Sequence, residues 1–440
     1  MMDVGALSLI ILFGLIGLIT IGVPLGFASG FLGAVIVMLK IGPNGLGILL
    51  ARMYALVTTY SFLSVPLFIF MASLLERSNI ARDLYDSLNA WLKKTRGGVA
   101  VVTAIMATIM AAMSGIIGGE IVLLGLIALP QMLRLKYNQD LAIGVVCASG
   151  SLGTMIPPSI VLIIYGLTTS TSITLLFKEA FLPGLMLSGL IIAYILIRTR
   201  LQPHLAPMNE DEPALTIKEK LKYLPGLLPP IIIAVVVLGS IYGGITGITE
   251  AAGVGCVATL FLIFLRKELS WFLFKDAMTR TFKATGTIIT ITFGATVLAG
   301  AYSLIGGPTY VANLILELDV SPMMIIFIMM LMFLILGAFM DWVGIVLLTM
   351  PVFLPIIIKL GFDPIWFGIL FCVNMQVSFL SPPFGPAAFY LKSVTPPHIT
   401  LIDIFRGFGP FIVLQLIVLL LIMFFPELTQ NFHNFKNINH

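Results

Sequence analysis

The chain has 440 residues, of which 59% are hydrophobic and only 10% are charged, and its formal net charge is +4. This composition excludes a soluble globular domain and indicates an all-α polytopic membrane protein. The small positive charge is spread over the segments between apolar runs, so it bears on orientation in the membrane and not on nucleic-acid binding. The cysteines lie inside apolar runs and indicate neither a disulfide nor a metal framework: Cys147, Cys256 and Cys372.

Long apolar runs recur along the whole chain, and a helix needs ~20 apolar residues to cross the hydrocarbon core of a bilayer. Asp3 precedes the first run without a basic stretch or a small-residue cleavage site, so we predict a retained span and not a signal peptide. The predicted spans cover residues 4–21, 24–39, 57–75, 140–165, 176–197, 224–243, 247–265, 285–303, 364–391 and 407–425.

Two further apolar stretches are interrupted in the middle. Residues 98–133 are broken by Ser114-Gly115, and residues 323–358 are broken between Gly337 and Gly344. Glycine favours the end of a helix, so we predict that each stretch is a re-entrant helical hairpin with its tip inside the membrane.

Two of the predicted spans also contain a helix break. The span 140–165 is interrupted from Gly153 to Ser159, and the span 364–391 is interrupted from Ser378 to Phe384, each around a double proline. Proline carries no N–H, so several carbonyl groups at each break lose their helical partner. Such backbone is tolerated at membrane depth only where protein buries it or where it lines an aqueous cavity. The breaks therefore predict the ion or substrate site of a transporter.

When the chain is aligned with itself so that Pro157 falls on Pro382, other glycines and prolines also coincide, which indicates an internal repeat. We call this shift in residue number the repeat offset. Residues 1–200 and 224–440 are the predicted repeats, and the polar segment 201–223 is the predicted cytoplasmic linker. Each repeat has five predicted spans and one hairpin, and an odd number of crossings inverts the second copy. Accidental matches among 41 glycines are the alternative. The matched pairs are Gly14, Gly22 and Gly30 with Gly239, Gly247 and Gly255, Gly119 with Gly344, Pro130 with Pro355, Cys147 with Cys372, and Pro157-Pro158 with Pro382-Pro383.

The distribution of basic residues tests this layout, because lysine and arginine collect on the cytoplasmic side. With the N-terminus on the periplasmic side, few of the 24 basic residues fall outside the cytoplasmic segments. The exceptions are Lys40, Arg52, Lys178, Lys359 and Lys436. The external segment from Gly306 to Pro322 carries Glu317 and Asp319 and no basic residue.

Hydroxyl and amide side chains lie close to both breaks, where each hairpin tip is expected to face the break of its own repeat. Hydroxyls and freed carbonyls can bind a desolvated sodium ion without burying a full negative charge. Half-helix N-termini pointing into the same space favour an anionic substrate group. Helix packing is the competing explanation for each serine. The candidates are Ser114, Ser149, Ser151, Thr154 and Ser159 in the first repeat, and Asn374, Ser378 and Ser381 in the second.

Two acidic residues lie within the predicted hairpins, and a carboxylate inside a membrane is costly enough to indicate function. We expect a functional role for Asp341. Glu120 has a competing interpretation, since a hairpin arm can expose it to water or pair it with a linker lysine.

Three segments carry a resemblance to a known family. They are VPLFIFMASLLERSNIA (Val65 to Ala81), SGSLGTMIPPSIVLIIYG around the first break, and GFDPIWFGILFCVNMQVSFLSPPFGPAAF around the second. These motifs resemble the large, DctM-like membrane subunit of tripartite ATP-independent periplasmic (TRAP) transporters, and the resemblance covers nearly the whole chain. The hairpin-plus-broken-helix layout is also similar to the wider superfamily of elevator-type transporters that includes sodium/dicarboxylate symporters.

The resemblance implies a sodium-driven elevator that works with a small four-helix membrane subunit and a periplasmic substrate-binding protein in the bacterial inner membrane. It implies no cofactor, with Na⁺ as the coupling ion. It places sodium near the hairpin tips and breaks, and substrate between the two clusters. Together with the hydroxyl and amide candidates above, this gives the predicted sodium residues Ser114, Gly115, Ser149, Gly153, Thr154, Pro157, Gly337, Asp341, Ser378, Ser381 and Pro382, and the predicted substrate residues Pro158, Ser159, Asn374 and Pro383.

The functional hypothesis is therefore the large subunit of a sodium-coupled, binding-protein-dependent importer of a small organic acid. One alternative is a stand-alone sodium/dicarboxylate symporter of the same superfamily. Another is a multi-pass membrane enzyme, but the sequence contains no zinc-protease motif and no nucleophile elbow.

Overall fold

A computed structural model of the protein describes residues 4–92, 94–207, 215–317, 320–383 and 385–429. These ranges are helical and contain no β-strand. In the part before the linker, the α-helices are α1 (Val4–Thr20), α2 (Leu25–Lys40), α3 (Asn44–Val57), α4 (Ser64–Arg77), α5 (Ile80–Leu92), α6 (Gly98–Ser114), α7 (Ile117–Arg134), α8 (Gln139–Gly150), α9 (Ile160–Thr169) and α10 (Ile173–Leu201).

The second half continues the same architecture. Its α-helices are α11 (Ile217–Tyr223), α12 (Leu228–Tyr242), α13 (Ile248–Leu265), α14 (Trp271–Leu304), α15 (Gly307–Leu316), α16 (Pro322–Gly337), α17 (Trp342–Lys359), α18 (Pro364–Leu380), α19 (Pro386–Lys392) and α20 (Leu401–Phe424). By length and composition alone, eight helical stretches in the described ranges are apolar and long enough to cross a membrane. Asp3, Asp319, Phe384 and Lys436, which were named above, lie outside the described ranges, as does the middle of the predicted linker, residues 208–214.

The predicted hairpins and breaks are present. Helices α6 and α7 form the first hairpin and α16 and α17 form the second. The first break (residues 151–159) separates α8 from α9, and the second break (residues 381–385) separates α18 from α19. The second hairpin turns at Ala338 to Asp341, so the predicted interruption up to Gly344 is too long, and Gly344 lies inside α17.

Several helices differ from the predicted spans. Helix α3, which contains Arg52, was not predicted, nor were α5 and α15. Helix α14 begins at Trp271, well before the predicted start at residue 285. Its first turns were missed because Lys275 and Asp276 lower the mean hydropathy on which the prediction was based. An α-helix satisfies its own backbone hydrogen bonds, so it continues past the apolar layer without penalty.

The repeat offset also relates the helices themselves. Shifted by this offset, α7 has the same bounds as α17, and α8 begins where α18 begins. Helix α14 spans the positions equivalent to both α3 and α4, which a 3₁₀ turn at Tyr60–Leu63 separates in the first copy. The repeats therefore share one helical plan, while a boundary between them at residues 201–223 stays a prediction.

The hairpins pack across the repeats. Helix α7 lies on α8 of its own half and on α19 of the other half, and α17 lies on α9 as well as on α18. Around this body, α2 and α4 pack against α14, and α4 also packs against α13. The α2–α14 crossing is close because Gly33 has no Cβ, which would stand 2.8 Å from the Cα of Leu298. The first break consequently lies at the centre of the molecule, between the two hairpins.

Candidate functional site

The first break is wholly enclosed. A 3₁₀ turn, Ser151–Thr154, follows α8, and the backbone stays non-helical until Ile160 because Pro157 and Pro158 cannot donate to a helix. The Ser159 hydroxyl donates to the carbonyl oxygen of Thr154 and so partly satisfies the broken backbone. Every residue from 151 to 159 is buried. The Pro157–Pro158 peptide bond is cis, as is the Pro382–Pro383 bond at the second break.

The first hairpin tip lies directly on this break. Helix α6 ends at Ser114, and the next residue, Gly115, has a φ of +63°, in the left-handed region that favours glycine. A Cβ at this position would collide with the carbonyl oxygen of Pro158. The Ser114 hydroxyl donates to Glu120 Oε1, and Glu120 is fully buried. Neither water exposure nor a linker lysine therefore explains Glu120, and that interpretation is wrong.

The second hairpin tip meets α18 in a similar way. A Cβ at Gly337 would collide with the side chain of Ser378. The Ser378 hydroxyl donates to the Asn374 carbonyl oxygen at 3.2 Å, and Asn374 Nδ2 donates to the Met330 carbonyl oxygen at 2.8 Å. Asp341 caps α17, because its Oδ2 accepts the Val343 N–H at 3.2 Å.

The second break is more open than the first. Ser381 is half-buried and its hydroxyl donates to the Val377 carbonyl oxygen at 2.8 Å. Pro382 and Pro383 are exposed. The two repeats thus place equivalent breaks in different surroundings, one enclosed and one accessible.

A cavity of about 550 Å³ lies between the two hairpin tips. Its wall comes from the start of α7, the first break and the start of α9, the middle of α14, the start of α17, and α19. Three helix N-termini, those of α7, α9 and α17, open onto it. None of the described residues that line it is a lysine, an arginine or a histidine. Its polar lining consists of Thr154, Thr287, Asp341, Trp342 and Tyr390.

The predicted site residues fall into two groups. Gly115, Thr154 and Asp341 lie on the cavity wall. The others are not among the described lining residues. In the first repeat these are Ser114 at the hairpin tip, Ser149 in α8, and Gly153, Pro157, Pro158 and Ser159 in the break. In the second repeat they are Gly337 at the end of α16, Asn374 and Ser378 in α18, and Ser381, Pro382 and Pro383 in the break. None of the predicted substrate residues therefore contributes to the described wall.

The wall contributed by α14 and α19 was not predicted from the sequence. Thr287, Ile288 and Ile291 of α14 and Tyr390 of α19 face the cavity. One signal could have found α14, because threonines at 285, 287, 290, 292 and 296 give an apolar span an unusual density of hydroxyl groups.

The fold resembles that of a solved membrane transporter. The crystal structure of the Alcanivorax borkumensis YdaH transporter, described as having an unusual topology, matches with a TM-score of 0.58 at 16% sequence identity. The match covers 91% of this chain and 96% of that chain. At this identity the likeness concerns the fold alone.

Sequence relatives are more specific. The C4-dicarboxylate TRAP transporter large permease protein DctM of Pseudomonas aeruginosa is 30% identical over 93% of this chain and 94% of its own. The sialic acid TRAP transporter large permease protein SiaM of Vibrio cholerae is 27% identical over 95% of this chain and 96% of its own. The ectoine TRAP transporter large permease protein TeaC of Halomonas elongata is 28% identical over 94% of this chain and 96% of its own.

The model of one protein family covers almost the whole chain. It is described as the DctM component of the tripartite ATP-independent periplasmic transporter, and it matches residues 12–428. The named relatives are transport permeases and not enzymes. With its helical repeat, its paired hairpins and broken helices, and this match, the chain belongs to the DctM family of TRAP transporter large permeases.

Proposed function

We propose that this permease imports a small organic acid with sodium across the bacterial inner membrane. It acts together with a small membrane subunit and a periplasmic substrate-binding protein. The observation that carries the proposal is the cavity between the hairpin tips, onto which three helix N-termini open and whose described lining has no basic side chain.

The helix N-termini make this cavity suitable for a carboxylate. The free N–H groups at the start of a helix and its dipole together act as roughly half a positive charge. At α17, the Asp341 carboxylate already interacts with this partial positive charge, because Asp341 is the N-cap of that helix. Helix α9 is capped by the neutral hydroxyl of Ser159, so its N-terminus remains available to an anionic group, whereas α7 carries Glu120 in its first turn.

Sodium offsets the negative charge that such a substrate brings beside Asp341. In the first repeat the proposed ligands are the side chain or backbone oxygens of Ser114, Gly115, Ser149, Gly153, Thr154 and Pro157. In the second they are those of Gly337, Asp341, Ser378, Ser381 and Pro382. The Ser149 hydroxyl supports this assignment, because it is buried and has no hydrogen-bond partner among the described residues.

An elevator movement fits the packing. The hairpins, the broken helices, α10 and α20 pack against one another and are taken as the first body, and α2, α4, α13 and α14 are taken as the second; the two meet where α14 packs on α17 and α4 packs on α6. The cavity lies where the first body meets α14. Sliding of the first body along the second would carry the cavity across the membrane, with the N-terminus of the chain on the periplasmic side.

A second substrate class is suggested by the cavity wall, which holds a carboxylate and no described basic group. A zwitterionic solute could place its cationic part beside Asp341 and its carboxylate at the N-terminus of α9. The name of the Halomonas elongata relative assigns ectoine to that protein.

Reconstituted uptake tests the proposal. The permease and its small subunit are placed in liposomes, the binding protein is loaded with a solute found by a thermal-shift screen, and uptake is measured with and without a sodium gradient. Uptake is expected only with both the gradient and the binding protein. Sodium-driven uptake by the permease alone would identify a stand-alone symporter. Equal uptake with and without the sodium gradient would exclude sodium coupling.

A further inference from the structure

Two carboxylates, those of Glu76 and Glu120, lie near the start of α7, where the first hairpin packs against α4. Glu76 is in the last turn of α4, and its carboxylate occupies the space beside Gly119, where a Cβ would collide with it. The next residue, Glu120, is in the first turn of α7. No described basic side chain forms an ion pair with either one, and the neighbouring Arg77 instead pairs with Asp276 of α14 at 2.6 Å.

The Glu120 carboxylate is incompletely satisfied. Its Oε1 accepts from the Ser114 hydroxyl, but Oε2 is buried and has no hydrogen-bond partner among the described residues. Both oxygens lie against Gly153, at 3.0 and 3.1 Å from the position of a Cβ on that residue. A buried carboxylate that lacks a partner is strongly unfavourable, and a second one nearby increases the cost. A cation bound among these oxygens removes both penalties.

We propose that Glu76 and Glu120 bind a sodium ion between α4 and the first hairpin, with the Ser114 hydroxyl as a further oxygen ligand. This inference rests on the proposed sodium coupling and assigns a charged ligand set to it. It differs from a site built only from a hairpin tip and a break, because Glu76 belongs to α4, which is part of the second body.

The site has no counterpart in the second repeat. At the repeat offset, Glu76, Gly119 and Glu120 correspond to Ala301, Gly344 and Ile345. Gly344 also has different surroundings, because a Cβ there would meet Leu25 at the start of α2 and not the end of α14.

The ligand set therefore forms only when the first hairpin is aligned with the end of α4, as it is in this structure. A ligand that binds one conformation better than another shifts the population towards that conformation. Sodium at Glu76 and Glu120 consequently holds the hairpin against α4, and its release frees the hairpin to move.

A distance measurement on the whole permease in lipid nanodiscs tests this. Spin labels at Asn79→Cys, beyond the end of α4, and Lys136→Cys, beyond the end of α7, report the alignment, and both positions are exposed. The native cysteines are buried, which limits their labelling. Sodium is expected to shift the distance distribution towards a single population, whereas potassium is not. Glu76→Gln and Glu120→Gln are each expected to raise the half-saturating sodium concentration about tenfold, because each removes a charged ligand.

Two further variants sharpen the result. Gly119→Ala keeps both carboxylates but fills the space that Glu76 occupies, so it is expected to raise the half-saturating sodium concentration by the same factor. It provides the test of the site if a glutamine variant folds poorly. Glu250→Gln, which changes a carboxylate at the start of α13, is the matched control and is expected to behave as the wild type.

Unchanged half-saturation in Glu76→Gln, Glu120→Gln and Gly119→Ala would overturn the site while leaving sodium coupling intact. A response to calcium or magnesium but not to sodium would also overturn it. If the wild-type permease shows no sodium dependence in either distance or uptake, the proposed function itself fails.

Discussion

Ser151 and Gln376 are equivalent residues of the two repeats, and they contact each other: the Ser151 hydroxyl donates to Gln376 Oε1 at 2.7 Å across 225 residues of sequence. Equivalent residues can touch only where the axis that relates the repeats passes between them. Both are fully buried, and Gln415 Nε2 of α20 donates to the same hydroxyl at 3.3 Å. The first break therefore lies on the axis of the repeat and is hydrogen-bonded to the second broken helix.

Ser151→Ala is expected to destabilise the permease by about 1–3 kcal/mol, because it leaves the buried Gln376 Oε1 without a donor. Thermal unfolding in detergent measures the loss. Thr168→Ala is the matched control, since its hydroxyl only bonds the Ile164 carbonyl oxygen within α9. Equal stability of the two variants would show that the contact across the axis contributes nothing.

Asp341→Asn is expected to weaken sodium affinity by about tenfold, because it removes the carboxylate from the cavity wall. Ser378→Ala is expected to lower the affinity by a smaller factor. The sodium dependence of reconstituted uptake measures both. Asp363→Asn provides the control: Asp363 caps α18 through the Ile365 N–H at 2.9 Å but does not line the cavity. Wild-type sodium dependence in both test variants would remove these residues from the site.

Gly115→Ala is expected to abolish uptake while the protein still inserts in the membrane. A left-handed backbone costs a residue with a Cβ about 1–2 kcal/mol, and this Cβ also collides with the Pro158 carbonyl oxygen. Gly189→Ala in α10 has open space around its Cβ and should be neutral. Uptake at wild-type rates by the Gly115 variant would contradict the close seating of the tip on the break.

Ala284→Trp is expected to reduce uptake strongly, because the indole projects from α14 into the cavity. Sodium binding should change little, since no proposed sodium ligand is on α14. Phe282→Trp introduces the same side chain at an exposed position of α14 outside the described cavity wall and should be tolerated. Comparable uptake by both variants would place the substrate elsewhere.

The sequence by itself determined the fold class and the helix plan of the repeats. Apolar runs must be helical in lipid, because only a helix or a closed barrel satisfies the backbone there. The double prolines at Pro157-Pro158 and Pro382-Pro383 predicted both breaks, because proline has no N–H to donate to a helical hydrogen bond. Hydropathy did not predict α3 or the start of α14, because Arg52 in α3 and Lys275 and Asp276 in α14 lower the mean hydropathy there.

Only the tertiary structure decided which residues meet. Hydropathy and spacing carry no information on side-chain neighbours across repeats, so the cavity wall on α14 and α19 and the contact of Ser151 with Gln376 could not be predicted. Glu120 illustrates the same limit. Its sequence context allowed exposure to water, and burial behind the hairpin tip, beside Gly153 and near Glu76, depends on how two distant segments pack.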